Sequence, residues 1–215
     1  MTLFRSAAML VSLVLVPLTV AAAPPPEPTV EYSADSTMET EGGMTMKSRV
    51  YHTPTKQRME MGGADGSVTI IRKDKKVVWQ VMGDMYMEMP LDQSNAPDMG
   101  GFDIQEQTEV GEETVNGLKT TKTKIIATKP DGSKFGGFFW TTKEGVTVKM
   151  DLLSKDGDKK MRMASELTNV KIEKQNPALF EVPAGATKND MGAMMGQGGM
   201  PNMEEMMKNA GQERA

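Results

Sequence analysis

Cysteine is absent from this chain of 215 residues, histidine occurs once, and aromatic residues make up only 5% of it. Without cysteine there is no disulfide, no thiolate metal site and no cysteine that could carry a lipid anchor. No serine or cysteine nucleophile pattern lies near His52, so a catalytic triad has no evident base. The sequence therefore predicts a protein that binds and is not an enzyme, with no catalytic residue, no metal site and no cofactor.

Strong charge of one sign is also missing. The chain carries 25 basic and 29 acidic side chains, a formal net charge of −4. Such a mild acidic balance argues against nucleic acid as a partner. The adjacent glycines in "KFGGFFW" do not open a helix, so nothing resembles a phosphate-binding loop.

A long apolar run lies at the start of the chain. Arg5 precedes the apolar residues 7–20, and the small residues 21–23 follow them. This order is typical of a secretory signal peptide, and the run is too short to span a membrane. We expect cleavage after Ala22, because proline directly after the cut is poorly tolerated. The prediction is a soluble periplasmic protein with no integral membrane segment after cleavage; the alternative is an N-terminal membrane anchor.

Methionine, in contrast, is abundant, with 22 residues. In the stretch "GDMYMEMPL", methionine occupies every second position, at Met85, Met87 and Met89. The unbranched thioether side chain repacks easily around irregular partners, which is why methionine recurs on adaptable apolar surfaces. The same alternate spacing occurs at Met44 and Met46, at Met59 and Met61, and at Met161 and Met163.

Turn signals are dense, and polar residues alternate with apolar ones between them. In "VTVKMDLL", for example, Val148, Met150 and Leu152 alternate with polar residues, as in antiparallel strands with one buried and one wet face. The stretch 90–107 contains proline and glycine and predicts a loop, whereas 176–183 predicts a single helical turn before a last short strand. With so few helices, the fold class is all-β, a curved antiparallel sheet that forms a half-barrel with a concave apolar face. The predicted turns are Gly42-Gly43, Gly62-Gly63, Asp74-Lys75, Gly83-Asp84, Asn116-Gly117, Pro130-Asp131-Gly132, Glu144-Gly145 and Asp156-Gly157.

The predicted organisation has four parts: a signal peptide (1–22), a proline-rich linker (23–29), the β domain (30–187) and a methionine-rich tail (188–215). From Met191 to Met207 the tail holds seven methionines in seventeen residues. Three interpretations of this tail stay open. It is a disordered extension, a cluster of soft thioether ligands for Cu(I), or a plug that lays a short helical stretch into the concave sheet.

A family resemblance follows from five phrases in order. They are "EYSADSTMETEGGMTMKSRVYHTPTKQRMEM", "TIIRKDKKVVWQVMGDMYMEM", "ETVNGLKTTKTKI", "DGSKFGGFFWTTKEGVTVKMDL" and "NPALFEVPAG". They resemble a family of exported bacterial proteins catalogued as domain of unknown function 4412, which is similar to the periplasmic lipoprotein carrier LolA and to lipoprotein-sorting proteins. The likeness covers about residues 30–187. It implies a curved sheet whose concave face holds a lipid or another apolar small molecule, or the acyl chain of an envelope lipoprotein.

The turn at 83–84 decides which side chains share the face of the methionines. A two-residue turn would pair Met82 with Met85 and put Trp79 on the opposite face, whereas a three-residue loop with a bulge would bring Trp79 to the methionine side. We expect the bulged register, because it gathers six apolar side chains on one face and burial of each is worth about 1.5–3 kcal/mol. The two-residue turn stays possible if both faces of the hairpin are partly covered. The predicted ligand-binding residues are Met59, Met61, Val77, Trp79, Val81, Met85, Met87, Met89, Trp140, Met150, Met161 and Met163.

The sequence thus predicts a periplasmic binding or carrier protein that holds a lipid or other apolar ligand on a methionine-lined face. Thioethers are soft ligands that favour Cu(I), so a methionine-rich copper-binding protein is the alternative. A third alternative is a structural envelope module in which methionine only fills the core.

Overall fold

The computed structural model describes residues 26–62, 66–92, 103–128, 132–156 and 159–189, and its twelve strands form one sheet. The strands are β1 (Tyr32–Thr40), β2 (Thr45–Thr53), β3 (Lys56–Met61), β4 (Ser67–Arg72), β5 (Val77–Met82), β6 (Met85–Pro90), β7 (Asp103–Val115), β8 (Leu118–Thr128), β9 (Lys134–Thr141), β10 (Thr147–Asp156), β11 (Lys159–Ile172) and β12 (Thr187–Lys188). From edge to edge the order is β12-β6-β5-β4-β3-β2-β1-β11-β10-β9-β8-β7.

Two runs of consecutive antiparallel hairpins make up this sheet. Strands β1 to β6 form the first run and β7 to β11 form the second. The runs meet where β1 pairs with β11, for example at Ser33 opposite Lys171. The short β12 is different, because it returns from the end of the second run and pairs parallel to β6 at the far edge.

The chain connection from β6 to β7 shows why the sheet must curve. These two strands follow one another in sequence but lie ten strand spacings apart, which is about 48 Å in a flat sheet. The thirteen Cα steps from Pro90 to Asp103 can span at most about 43–47 Å. The sheet is accordingly one large, curved, open sheet, and the predicted all-β antiparallel fold class is confirmed. No α-helix occurs within the described ranges.

Several hairpin turns have the backbone conformation that their residues favour. Asn116 and Gly117 both take positive φ, 49° and 81°, as a type I′ turn requires. Gly83 takes φ 61° at the first central position of its two-residue turn. The predicted turns at 62–63, 130–132 and 156–157 each include residues outside the described ranges.

The predicted loop at 90–107 is wrong at both of its ends. Pro90 is the last residue of β6, and the residues from Asp103 onward already belong to β7. In β7 most side chains are polar and exposed, so the strand has no apolar alternation that would distinguish it from a loop. The described residues place β7 at one edge of the sheet, where charged side chains protect an unpaired strand from association.

The C-terminal segment forms one short helical turn before the last strand, as predicted. A 3-10 turn spans Pro177–Phe180, and the Asn176 side chain caps it by accepting a hydrogen bond from Ala178 N at 3.0 Å. The turn inserts Phe180, which is almost fully buried, into a cluster with Ile70, Trp79 and Val81. This packing fixes the segment on one face of strands β4 and β5.

The signal peptide, most of the linker and almost the whole methionine-rich tail lie outside the described residues, so these three assignments stay predictions. None of the helices in the described part is long and apolar enough to cross a membrane.

Candidate functional site: the methionine face

All eleven methionines of the described strands lie on one face of the sheet. Side chains alternate along a strand, and residues directly opposite on paired strands share a face. One row of opposite residues runs from Met59 through Thr69 and Gln80 to Met87. We call this the methionine face; its methionines are Met38, Met46, Met59, Met61, Met82, Met85, Met87, Met89, Met150, Met161 and Met163.

Charge is divided between the two faces in strands β1 to β6. On the methionine face these strands present no lysine, arginine, aspartate or glutamate. The opposite face, which we call the charged face, carries all nine charged side chains of the same strands. These are Asp35, Glu39, Lys47, Arg49, Lys56, Arg58, Glu60, Arg72 and Glu88.

Many of these methionines are open to solvent. Met82 is 43% exposed, Met85 46% and Met161 60%, and Met46 and Met61 are also exposed. The six others are half-buried. Within the described ranges no helix covers this face, which leaves an apolar surface that is not packed against another layer. Apolar patches of this kind on a folded chain mark interaction sites.

Part of the same face is a packed core. Around β8 to β10, the side chains of Ile125, Ala127 and Phe139 are buried, and Met150 and Met163 pack against them. No helix among the described residues lies over them, so neighbouring strands bury these side chains through the curvature of the sheet. The methionine face is therefore the concave face. It is also filled at Val50 and Val78, within β2 and β5, whereas its exposed methionines lie at the strand ends near the Met82–Met85 turn.

The predicted register of the β5–β6 hairpin is wrong. Met82 pairs with Met85 across a two-residue turn, and Trp79 lies opposite Glu88. The hairpin has apolar side chains on both faces, and those on the Trp79 side pack against Phe180 of the C-terminal segment. A bulge would be favoured if one face of the hairpin were wet, but the C-terminal segment covers part of that face. Three predicted ligand-binding residues, Val77, Trp79 and Val81, thereby move to the charged face. A fourth, Trp140, also lies on the charged face, as the pairing of β9 with β10 shows.

The two tryptophans of the charged face are held by polar contacts. Trp79 Nε1 donates to Glu88 at 2.8 Å, and Trp140 Nε1 donates to Glu113 at 2.6 Å. Arg72 lies over the Trp79 ring, with its guanidinium carbon 5.6 Å from the ring centre. Lys122 Nζ lies 4.8 Å from the centre of the Trp140 ring. Since these contacts occupy the indole nitrogens and cover the rings, both tryptophans serve as structural anchors.

The other eight predicted residues lie together on the methionine face: Met59, Met61, Met85, Met87, Met89, Met150, Met161 and Met163. The prediction missed Met38, Met46 and Met82. A signal for Met38 was present, because Tyr32, Ala34 and Met38 alternate at even positions along β1. Met82 was missed because the bulged register assigned it to the turn.

Arg72 fixes the C-terminal segment to the charged face. Its buried guanidinium donates to the Phe180 carbonyl at 3.0 Å and pairs with Glu181, while its remaining nitrogens bond both oxygens of Asp74 at 2.7 and 2.8 Å. The hydrogen bonds from Arg72 lower the pKa of Asp74 to about 2. Bidentate arginine–carboxylate contacts of this type are strong and directional.

His52 is the one imidazole on the methionine face. Its ring is buried, stacks on Tyr32 with 5.0 Å between ring centres, and places Nδ1 3.3 Å from the Val30 carbonyl. Burial lowers the pKa of His52 and raises the pKa of Tyr32 to about 12. Among the described residues no group of three or more histidine, cysteine, aspartate or glutamate side chains could hold a metal ion.

A cavity of about 230 Å³ lies on the methionine face, near β7 to β9. Threonines line much of it, together with Phe139, Gln107 and Pro26. Sites for drug-sized ligands typically occupy about 300–1,000 Å³ and are lined mainly by apolar side chains. The open methionine surface at the β6 end is therefore the better candidate site for an apolar ligand.

No family model and no curated protein matches this chain. Similar solved structures include MucB, with a TM-score of 0.49 and 12% identity, covering 75% of this chain and 60% of MucB. The MucA/MucB complex of Pseudomonas aeruginosa has a TM-score of 0.48 and 11% identity, covering 73% of this chain and 57% of the other. The Mycobacterium tuberculosis lipoprotein LppX has a TM-score of 0.39 and 12% identity, covering 67% of this chain and 88% of LppX. This chain thus spans less than two thirds of the MucB structures. The resemblance to domain of unknown function 4412 stays a prediction.

Proposed function

We propose that the methionine face binds the acyl chain of a lipid, or another extended apolar ligand, and that the chain is a binding or carrier protein of the bacterial envelope. The observation that supports this proposal most directly is the segregation of side chains. Eleven methionines lie on one face, and its β1 to β6 part has no charged residue. A charged ligand would find no ion-pair partner there, whereas an acyl chain would find flexible thioether side chains that adapt to its shape.

Binding without catalysis is part of the same proposal. The tryptophans, Arg72 and most carboxylates of the charged face have partners within the fold, which is the pattern of a structural surface. Periplasmic location and signal cleavage after Ala22 are proposed from the sequence. N-terminal sequencing of the protein released by osmotic shock should find Ala23 first; an intact Met1 on membrane-bound protein would contradict this location.

Two substitutions that each introduce a negative charge test which face binds the ligand. Met85 and Leu153 are exposed to almost the same degree, 46% and 49%, but lie on opposite faces. We expect Met85→Glu to weaken binding of a fluorescent fatty acid, because a carboxylate would stand beside the acyl chain without a partner. Leu153→Glu should leave the affinity unchanged, and both variants should keep the melting temperature of the parent protein. Equal loss of affinity in both variants, or in neither, would overturn the proposal.

Copper is a second candidate ligand, and two cross-strand pairs favour it. Met38 lies directly opposite Met46, and Met82 lies directly opposite Met85. Opposed residues have Cβ atoms about 4.5–5.5 Å apart, so both thioethers of a pair can reach one ion. Soft thioether ligands select Cu(I).

The double variant Met82→Leu with Met85→Leu separates the two ligands. Leucine keeps the surface apolar but removes sulfur. If the site holds copper, Cu(I) binding against a competing chelator should be lost while fatty-acid binding is kept. If the site holds acyl chains alone, the variant should bind fatty acid as the parent does, and neither protein should compete for Cu(I).

A further inference from the structure

We propose that residues 190–215 of this chain cover the methionine face at its β6 end and compete there with the external ligand. This inference rests on the proposed apolar binding function and adds a regulator to the same site. The occupant is specified by where the described chain ends, by the direction in which it runs and by its composition.

The last strand delivers the tail to the edge of the methionine face. β12 pairs parallel to β6, with Thr187 opposite Met85, and Asn189 N donates to the Tyr86 carbonyl at 2.7 Å. The chain therefore leaves the sheet along β6, in the direction of Met87 and Met89. These are two of the methionines that the tail would cover.

The side-chain alternation in β12 is consistent with this placement. Thr187 shares a face with Met85, whereas Lys188 lies on the charged face, where its Nζ bonds Glu88 at 2.8 Å. Two positions after Thr187, at Asn189, the alternation returns to the methionine face. Continuing the observed register would set Met191 opposite Met89.

The tail is long enough to cover the open part of the face. From β6 to β1 the sheet has five strand spacings, about 24 Å. The seventeen residues from Met191 to Met207 can extend over at most about 60 Å. All the methionines of β1 to β6 are therefore within reach.

The composition of the tail complements the face. Residues 191–203 contain no charged side chain, and neither does the methionine face in β1 to β6. Glycines in this stretch let the backbone approach the sheet closely. Because the tail is tethered at β12, it acts at an effective concentration on the order of millimolar, so weak contacts suffice for it to compete with a free ligand.

A spin label in the tail tests the docking directly. The chain has no cysteine, so Gln197→Cys gives a single labelling site, and the methionine methyl signals report proximity without any ligand. We expect the label to broaden the signals of Met82, Met85, Met87 and Met89. The control label at Leu153→Cys, on the charged face, should leave these four signals sharp. A tail label that broadens no signal of the methionine face would overturn the inference.

Truncation after Asn189 tests competition and separates the two proposals. Apparent affinity for a fluorescent fatty acid should rise on the order of tenfold, as expected if the tail covers the face about nine-tenths of the time. Added peptide 190–215 should reverse the gain, and circular dichroism should show that the sheet is retained. Equal affinity before and after truncation, with no broadening, means that the tail does not dock while the proposed function stands. Broadening by the tail label in a protein that binds no fatty acid, full-length or truncated, means that the tail docks and the proposed function fails.

Discussion

The charged face and the methionine face both carry apolar side chains, but they bury them by different means. On the charged face, Ile70 and Trp79 are covered by Phe180, and Arg72 holds that cover in place. On the methionine face, the β8 to β10 part is buried by curvature, while exposed methionines such as Met85 lie beyond it. The difference separates the apolar residues that belong to the packed fold from those that stay open for the proposed ligand.

Among substitutions that test this difference between the two faces, we expect Phe180→Ala to have the largest effect on the free energy of unfolding. Phe180 is 1% exposed and packs in the Ile70–Trp79 cluster, so its removal should cost about 3–5 kcal/mol in the free energy of unfolding. The matched change on the open face, Met85→Ala, should stay within about 0.5 kcal/mol. Urea denaturation of both variants measures the difference. Similar losses would show that the methionine face is packed after all.

Arg72→Met should have the next largest effect. It removes the hydrogen bonds to the Phe180 carbonyl, Asp74 and Glu181. Because the two carboxylates are partly exposed and can return to water, we expect a loss of about 2 kcal/mol. The exposed ion pair of Arg162 with Asp151 provides the control, and Arg162→Met should cost clearly less than Arg72→Met.

The Arg72–Asp74 pair also has a predictable pH dependence. The folded-state pKa of Asp74 lies at about 2, below its ordinary value, so the stability from this pair is present above the ordinary pKa of an aspartate. It is lost as the pH falls toward 2. In Arg72→Met, the free energy of unfolding should fall less steeply between pH 4 and 2, as urea titrations at each pH would show; an unchanged slope would contradict the role of this pair.

Two adjacent glycines test the tightness of the sheet on its two faces. A methyl group at Gly137, on the methionine face, would overlap the Asp151 carbonyl oxygen and lie 2.9 Å from Leu152 Cα. Gly136→Ala, on the opposite face, would place its methyl 3.2 Å from the Ile125 carbonyl oxygen. Gly137→Ala should lower the free energy of unfolding by about 1–3 kcal/mol, and Gly136→Ala by less. The reverse order would contradict the close approach of β9 and β10.

The smallest effect concerns His52. Burial lowers its folded-state pKa, so the unfolded chain binds the proton more readily, and stability falls as the pH drops below the ordinary histidine pKa. His52→Gln should flatten the decline in melting temperature between pH 7 and 5. If the substitution leaves the slope unchanged, His52 is not the group whose proton binding differs between the folded and unfolded chains.

The sequence was informative wherever a repeated pattern determined the structure. Alternation predicted the antiparallel sheet, and the paired glycines and Asn116-Gly117 predicted turns. Met59, Met61 and Met85, which the sequence grouped as ligand-binding residues, share one face of the sheet. The sequence could not identify what covers the charged face, because Phe180 reaches Ile70 only through the return of the C-terminal segment.

The same long-range contact explains the error at Trp79. If the β5–β6 hairpin is considered without the rest of the chain, a bulged turn buries the largest apolar area on one face. In the folded chain the C-terminal segment covers the Trp79 side as well, so apolar side chains are accommodated on both faces of the hairpin. The register was therefore decided by a segment about 100 residues further along the chain, which no local pattern contains.

The strand order also has a kinetic consequence. Within each run of hairpins, β1 to β6 and β7 to β11, every strand pairs with its sequence neighbour, so these contacts close short loops. The pairing of Ser33 with Lys171 joins the runs across 138 residues of chain, and the entropy lost in closing so long a loop opposes it until both runs have formed. Folding should therefore begin independently in the two runs and finish at the β1–β11 seam, which makes this seam the slowest part of the sheet to assemble.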